Sequence, residues 1–256
     1  MDGLTLLKIG GAELQPGPVL DHLIDALVPL ATAGGLVVVH GGGSEIAELQ
    51  RRLGLEPRFV EGLRVTDEAS LRVAEMVLSG TVNKRLTARL VSRGVRAIGL
   101  SGVDGGLLCA EQMIAPQGDL GRVGEITRVE VSCLRDLLEH GFVPVISPIS
   151  LGSDGGAFNV NADHAALAIA GALRVAQMVF LTDVPGVMYN GTVLSRLRAE
   201  EARGMIADGH ITGGMIPKVR SALEAIDRGV GTAWITNLAG LAAGSGTRVT
   251  APEAEA

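Results

Sequence analysis

The sequence has few aromatic residues, two cysteines and no long uncharged apolar run, and each scarcity excludes a class of protein. Aromatic residues make up 2% of the 256 residues and the formal net charge is −6. The chain therefore lacks the stacking platforms and the positive charge that nucleic-acid binding requires. No segment is long and apolar enough to span a bilayer, and the first residues do not form a signal peptide. We expect a cytoplasmic protein in which Cys109 and Cys133 are reduced thiols.

Two common nucleotide-binding motifs are also missing. The sequence contains no G-x-x-x-x-G-K-[ST] segment, which excludes a Walker-type phosphate loop. Gly41 and Gly43 are followed by Ile46 at the position where a dinucleotide-binding fingerprint has its third glycine. Neither of these phosphate-binding turns is therefore predicted.

Small and aliphatic residues are abundant, with 36 glycines and 47% hydrophobic residues. Short apolar runs alternate with longer segments of helical period, which is typical of a mostly parallel sheet covered on both faces. We therefore predict an α/β fold. The predicted strands are 4–9, 36–39, 97–100, 143–146, 178–181 and 233–236. The predicted helices are 19–33, 44–53, 68–78, 82–93, 132–139, 162–172, 200–207 and 216–228.

Two glycine-rich turns follow predicted strands, at Gly10-Gly11 and at Gly41-Gly42-Gly43. Ligands of open α/β sheets bind beyond the carboxyl ends of the strands, where glycines let backbone N–H groups approach an anion. The alternative is a tight turn without a ligand. Lys8 precedes the first turn, and Lys218 lies in the first turn of a predicted helix, where a cation opposes the helix dipole. Each lysine either meets an anion or extends its ammonium group to solvent.

Polar residues elsewhere favour binding of a polar, anionic substrate. Asn159, Asn161 and Asp163 precede an alanine-rich helix, so they either cap that helix or contact a substrate. Arg64 lies in a predicted loop, where it is a surface arginine or a bidentate carboxylate ligand. His40 is interpreted as a hydrogen-bonded structural residue.

Phosphoryl transfer to a carboxylate would explain this set of residues. A carboxylate with a pKa of about 4.3 is already ionised at pH 7, so the acceptor needs no general base. Catalysis then depends on positioning and on cations that hold the transferring group. A set of residues rich in lysine, glycine and asparagine, without a histidine or cysteine nucleophile, fits that chemistry.

Six segments occur in a specific order along the chain: Lys8-Ile9-Gly10-Gly11, Val39-His40-Gly41-Gly42-Gly43, Gly62-Leu63-Arg64-Val65-Thr66, Asn159-Val160-Asn161-Ala162-Asp163, Leu181-Thr182-Asp183-Val184-Pro185-Gly186-Val187 and Gly213-Gly214-Met215-Ile216-Pro217-Lys218. Each segment is moderately specific, and all six in order are very specific. Over residues 4–249 the sequence resembles the amino-acid kinase superfamily and, within it, the N-acetylglutamate kinase family. The resemblance implies a three-layer αβα sandwich around a central, mostly parallel eight-stranded sheet.

The resemblance also implies an activity and a set of site residues. The activity is ATP-dependent phosphorylation of the side-chain carboxylate of N-acetyl-L-glutamate to N-acetylglutamyl 5-phosphate, the second step of arginine biosynthesis. Lys8 and Lys218 would be catalytic, and Asp163 would orient both lysines. The implied substrate-binding residues are Gly42, Gly43, Arg64, Asn159 and Asn161. The implied nucleotide-binding residues are Lys8, Gly10, Gly11, Thr182, Asp183, Gly213, Gly214, Met215 and Lys218. ATP would bind with Mg²⁺, which relies on phosphate oxygens, so no dedicated metal ligands are expected.

Two lobes and a homodimer are implied as well. Residues 1–170 would form an N-terminal lobe that binds the acyl substrate and dimerises, and residues 171–256 a C-terminal lobe that binds ATP. Because no extension precedes the first strand, we expect a dimer that arginine does not inhibit.

Two alternative functions remain open. One is a kinase for aminoadipate or glutamate attached to an amino-group carrier protein, which the acidic net charge and the 62–66 loop disfavour. The other is a catalytically inactive ligand-sensing module of the same fold. The presence of both lysines and of Asp163 disfavours that module.

Overall fold

Strands and helices alternate along the computed structural model, which describes residues 3–33, 35–116 and 118–251. The strands are β1 (Thr5–Ile9), β2 (Leu36–His40), β3 (Phe59–Val60), β4 (Leu63–Arg64), β5 (Ala97–Ser101), β6 (Leu108–Ala115), β7 (Gly118–Val129), β8 (Val143–Ser147), β9 (Ile149–Gly152), β10 (Ala157–Asn159), β11 (Gln177–Leu181), β12 (Met188–Tyr189), β13 (Thr192–Val193), β14 (Arg196–Arg198), β15 (Thr232–Thr236) and β16 (Thr247–Thr250). The α-helices are α1 (Pro18–Ala33), α2 (Gly43–Arg52), α3 (Glu68–Glu75), α4 (Asn83–Ser92), α5 (Ser132–Glu139), α6 (Ala162–Leu173), α7 (Ala199–Ala207), α8 (Met215–Asp227) and α9 (Leu238–Ala243). Short 3-10 turns lie at Ala12–Leu14 and Asp104–Gly106.

A central sheet of eight strands has the order β14-β16-β15-β11-β1-β2-β8-β5. Neighbouring strands are parallel from β15 to β5. At the other edge β16 is antiparallel to β15 and parallel to β14. The predicted α/β fold with a mostly parallel eight-stranded sheet is therefore confirmed. The strands that come first along the chain, β1, β2, β5 and β8, form one half of this sheet, and the later strands β11, β14, β15 and β16 form the other. The two halves meet where β1 pairs with β11.

Helices cover both faces of the sheet. Alternate residues of each strand point to opposite sides and therefore contact different helices. Leu6 of β1 contributes to a core that includes residues of α6 and α8. Leu7, the next residue, contributes to a second core with residues of α1, α3 and α4. All five residues of β2 are buried, as expected for a strand between two helix layers. Lys8 follows Leu6 by two residues, so its side chain lies on the α6 side of the sheet.

The structure contains a second, smaller sheet that the sequence analysis did not predict. Strands β6, β7, β9 and β10 pair in a closed ring, in which β6 and β7 form a long antiparallel hairpin. Charged residues such as Glu111 and Glu125 interrupt the apolar pattern of this hairpin, so its sequence does not indicate strands. The register also shifts between Cys109 and Ala110, which breaks the two-residue period.

The predicted interruption between helices 68–78 and 82–93 is not a loop. A π-helical segment, Met76–Val82, joins α3 directly to α4. The Oγ atoms of Ser79 and Ser147 lie 2.8 Å apart, which links this segment to the end of β8. Among the described residues, no helix is both long enough and apolar enough to cross a lipid bilayer.

His40 is a buried structural residue, as its sequence context predicts. Its Nδ1 donates a hydrogen bond to the carbonyl oxygen of Gly41 at 2.9 Å, and its Nε2 accepts one from Asn83 Nδ2 at 3.1 Å. Burial is the main cause that lowers the pKa of His40 from 6.5 to about 4. The imidazole is therefore neutral in the folded protein at pH 7.

The low pKa of His40 should make stability depend on pH. As the pH falls, the unfolded chain takes up a proton at about 6.5, before the folded chain does. This contribution to stability is fully present above pH 6.5 and is lost as the pH falls through the window between 6.5 and about 4. When the pH is lowered from 7.5 to 5, we expect the shifted pKa of His40 alone to reduce the free energy of unfolding by about 2 kcal/mol.

Urea unfolding at pH 7.5, 6 and 5 measures this effect. The variant His40→Asn should lose most of the pH dependence, because it removes the titrating group. His22→Asn, at an exposed position in α1, is the matched control and should keep the wild-type dependence. An unchanged dependence in His40→Asn would contradict the assignment.

Candidate active site

Lys8 forms an ion pair at the carboxyl end of the central strands. Its Nζ lies 3.0 Å from Oδ1 of Asp163, in the first turn of α6. Asn161 caps that helix, because its side-chain oxygen accepts a hydrogen bond from the N–H of Asp163 at 2.7 Å. The cap fixes the start of α6 and thereby the carboxylate that faces Lys8.

Lys218 has a different acidic partner. Its Nζ lies 3.2 Å from Oδ1 of Asp183, which follows β11. The hydrogen bond from Lys218 is the main cause that lowers the pKa of Asp183. Asp163 therefore contacts Lys8, whereas Lys218 contacts Asp183. Orientation of both lysines by Asp163 stays a prediction.

Two cavities meet at Lys8. One, here called the Arg64 cavity, has a volume of about 230 Å³, and the other, here called the Lys218 cavity, about 420 Å³. The residues that line both are Lys8, Gly10, Gly11 and Asp163. A molecule in either cavity therefore borders the same ammonium group and the same glycine turn.

The two cavities separate the predicted site residues into two groups. The Arg64 cavity is lined by the predicted substrate residues Gly42, Gly43, Arg64, Asn159 and Asn161. The Lys218 cavity is lined by the predicted nucleotide residues Lys8, Gly10, Gly11, Thr182, Asp183 and Lys218. Gly213, Gly214 and Met215 lie at the start of α8 and are not among the described residues that line either cavity.

Close packing explains Gly42, and the position of Gly11 shows how near the two glycine turns lie to each other. A Cβ atom on Gly42 would lie 2.9 Å from Leu78 Cδ2 in the π-helical segment. A Cβ atom on Gly11 would lie 3.5 Å from the backbone nitrogen of Gly43. Helix α2 begins at Gly43, and its first N–H groups have no partner within the helix. These donors therefore lie at the wall where the two turns approach each other.

An ion pair behind the glycine turns holds them together. Arg85 of α4 donates two hydrogen bonds to the carboxylate of Glu45, at 2.9 and 2.8 Å, and a third to the carbonyl oxygen of Leu14 at 2.8 Å. Glu45 lies in the first turn of α2, close to the wall of the Arg64 cavity. Pairing with Arg85 offsets a negative charge that would otherwise repel an anion there.

Arg64 is fixed by neutral acceptors. Its Nη1 donates to Gln50 Oε1 at 2.6 Å, and its Nη2 donates to the carbonyl oxygen of Gly43 at 2.7 Å. The ring of Phe59 lies 4.6 Å from the guanidinium carbon. Burial, followed by the positive charge of Arg51, lowers the pKa of Arg64. An anion in the cavity would relieve this unfavourable placement of a buried charge.

Thr66 connects Arg64 with Asn159. Its Oγ1 donates to the carbonyl oxygen of Arg64 at 2.8 Å and accepts a hydrogen bond from Asn159 Nδ2 at 3.2 Å. The backbone of Thr66 is held by strand β7, since its N–H donates to Leu120 at 2.9 Å and its carbonyl accepts from Arg122 at 2.6 Å. The hairpin thus positions two predicted substrate residues at once.

The sequence analysis missed the residues that hold the site in place, namely Gln50, Phe59, Arg85 and Glu45. One signal was present for Gln50, which shares the buried face of α2 with Ile46 and Ala47. A polar residue inside an apolar helical stripe indicates a buried hydrogen bond. Within the described ranges, no group of three or more His, Cys, Asp or Glu side chains could hold a metal ion.

The chain is similar to known proteins in sequence and in structure. The family model described as "Amino acid kinase family" matches residues 3–237. An acetylglutamate kinase of Roseiflexus sp. (strain RS-1) is 52% identical over 239 residues, which cover 92% of this chain and 89% of that protein. An acetylglutamate kinase of Methanopyrus kandleri is 47% identical over 254 residues, which cover 96% of this chain and 100% of that protein. The crystal structure of smu.665 from Streptococcus mutans UA159 matches with a TM-score of 0.82 and 30% identity, covering 98% of this chain and 99% of that one.

Proposed function

The chain belongs to the amino acid kinase family, and we propose that it transfers the γ-phosphoryl group of ATP to the side-chain carboxylate of N-acetyl-L-glutamate. The product is N-acetylglutamyl 5-phosphate, and the reaction is the second step of arginine biosynthesis. Relatives that are 52% and 47% identical over nearly the whole chain are acetylglutamate kinases. The predicted family, fold and enzyme class are confirmed.

One structural observation supports the reaction most directly: the two cavities share Lys8. We assign the acceptor to the Arg64 cavity and ATP to the Lys218 cavity. The phosphoryl group then passes the Lys8 ammonium, which Asp163 holds at 3.0 Å, while Lys218 approaches from the nucleotide side. These cations stabilise charge on the transferring group, and the acceptor carboxylate needs no base because it is already ionised.

Each cavity offers groups that suit its ligand. In the Arg64 cavity, the guanidinium binds the α-carboxylate, Asn159 and Asn161 contact neighbouring polar atoms, and Gly42 and Gly43 offer backbone N–H groups. In the Lys218 cavity, Gly10, Gly11, Thr182 and Asp183 border the phosphates. The 213–215 turn, which lies outside both cavities, contacts the nucleotide only if it moves towards the cleft.

Mg²⁺ fits this site as a companion of ATP. The carboxylates of Asp163 and Asp183 line the Lys218 cavity and are the oxygen donors that a hard cation prefers. Both carboxylates already pair with lysines, so phosphate oxygens and water would supply most of the ligands of the ion. The bound ion would neutralise part of the phosphate charge.

We further propose the two-lobe organisation and a cytoplasmic homodimer. The N-terminal lobe, residues 1–170, contains the Arg64 cavity, and the C-terminal lobe, residues 171–256, contributes most of the Lys218 side. Three apolar side chains of the N-terminal lobe are exposed, namely Leu53 after α2, Met76 and Val91, and those at the interface would be covered if this lobe dimerises.

The proposed reaction predicts ATP-dependent acyl phosphate formation, which hydroxylamine traps as a hydroxamate. We expect turnover with free N-acetylglutamate and little with glutamate or aspartate, because Arg64 and the two asparagines suit an acylated amino acid. A control without ATP removes the background. Folded protein that binds ATP but leaves free N-acetylglutamate unchanged would contradict the proposal and would favour an acceptor linked to a carrier protein.

A further inference from the structure

The hydrogen bonds of Arg64 leave its charge without a counter-ion. A guanidinium has five N–H donors and no acceptor. Two donors are used, one by Gln50 Oε1 and one by the carbonyl oxygen of Gly43, and both acceptors are neutral. No carboxylate among the described residues lies within 4.0 Å of Arg64. Arg64 is only 9% exposed, so water compensates little of its charge. The other three donors remain for a ligand in the cavity that Arg64 lines.

Gln50 is itself held in one orientation. Its Nε2 donates to Ser70 Oγ of α3 at 2.8 Å, and its Oε1 accepts from Arg64 at 2.6 Å. The amide cannot be reversed without placing its NH₂ group against the guanidinium, which can only donate. Gln50 is 1% exposed and Ser70 is 7% exposed, so water does not compete for these hydrogen bonds.

We propose that Gln50 is a positioning residue that sets the affinity for the acceptor, because it fixes the Arg64 guanidinium without neutralising it. This inference rests on the proposed function. Glutamate at this position would have the same shape and would form an ion pair with Arg64, but it would then neutralise the charge that the substrate carboxylate should neutralise. The amide therefore separates two tasks: it orients the arginine and leaves the positive charge to the substrate.

The variant Gln50→Glu tests this separation. We expect the KM for N-acetylglutamate to rise about tenfold or more, because an internal carboxylate competes for Arg64. The kcat and the KM for ATP should change less than about threefold, since both lysines and the Lys218 cavity are unaffected. Gln50→Met, which removes the acceptor without adding charge, should raise the same KM by a smaller factor.

Two controls distinguish positioning from a merely structural tie between α2 and α3. Gln177→Glu adds the same charge at the start of β11, at the opposite end of the strands, and should leave every kinetic constant unchanged. Melting temperatures of all variants report stability separately. A structural tie alone would lower the melting temperature of both Gln50 variants and leave the KM for N-acetylglutamate at its wild-type value. That result would overturn the proposal.

Calorimetric binding of N-acetylglutamate, without ATP, separates this inference from the proposed function. Wild-type binding without turnover would contradict the proposed reaction, and the ratio of Kd between Gln50→Glu and wild type would still decide the role of Gln50. A ratio of about ten or more supports the role, and a ratio near one overturns it. Absence of both binding and turnover in the wild type would overturn both proposals.

Discussion

Replacing Lys218 or Lys8 by alanine should lower kcat about 10²- to 10³-fold, the largest kinetic effects that we expect. Removing one preorganised charge from a phosphoryl-transfer site costs about 3–4 kcal/mol of transition-state stabilisation. Lys8 borders both cavities and Lys218 borders the nucleotide side, so each contacts the transferring group in the proposed reaction. The hydroxamate assay at saturating ATP and N-acetylglutamate measures kcat directly.

The third lysine of the chain, Lys84, provides the matched control. Its Nζ donates to the carbonyl oxygen of Gly99 at 2.9 Å and lines neither cavity. Lys84→Ala removes the same charge from the protein, so it should retain kcat within about threefold. Circular dichroism establishes that each variant is folded. A kcat near the wild-type value in Lys8→Ala or Lys218→Ala would refute the corresponding role.

Six of the eight strands of the main sheet could be predicted from the sequence because their signals are local, whereas β14 and β16 at one edge were not predicted. Leu4 to Ile9 and Leu36 to Val39 are short aliphatic runs, each followed by glycine and then by a helical period. Parallel strands bring their carboxyl ends to one edge of the sheet, so residues such as Lys8 and Gly42 could be expected to lie together. The structure places both of them at the Arg64 cavity.

The contacts that fix the site could not be predicted, because they join residues distant along the chain. Arg64 meets Gln50, 14 residues away, and Arg85 meets Glu45, 40 residues away. Such pairs depend on how α2 packs against its neighbouring helices, which no local pattern encodes. The ion pair of Lys218 with Asp183 could not be predicted for the same reason. The position of α8 relative to β11 decides whether the two side chains lie within 4 Å of each other.

The β6–β7 hairpin is the element whose contribution to the site was least visible in the sequence. Gly121 of β7 lies opposite Thr66, and it has a φ of +68°. A Cβ atom there would lie far inside contact distance of the Thr66 carbonyl oxygen, which is backbone and cannot rotate away. Thr66 in turn contacts Arg64 and Asn159. A substitution outside both cavities should therefore disturb the acceptor site.

Gly121→Ala should lower the free energy of unfolding by about 2–4 kcal/mol and raise the KM for N-acetylglutamate about tenfold or more. The methyl group must displace Thr66 and break its backbone hydrogen bonds to β7, whereas the nucleotide side is unaffected, so the KM for ATP should not change. Gly54→Ala is the matched control, because Gly54 has a similar φ of +75° and no atom within 4 Å of its Cβ position. That variant bears only the cost of a Cβ atom in the left-handed region, about 1–2 kcal/mol, and should keep its KM. Urea unfolding and the hydroxamate assay measure both quantities, and equal effects of the two substitutions would show that the hairpin does not position the acceptor site.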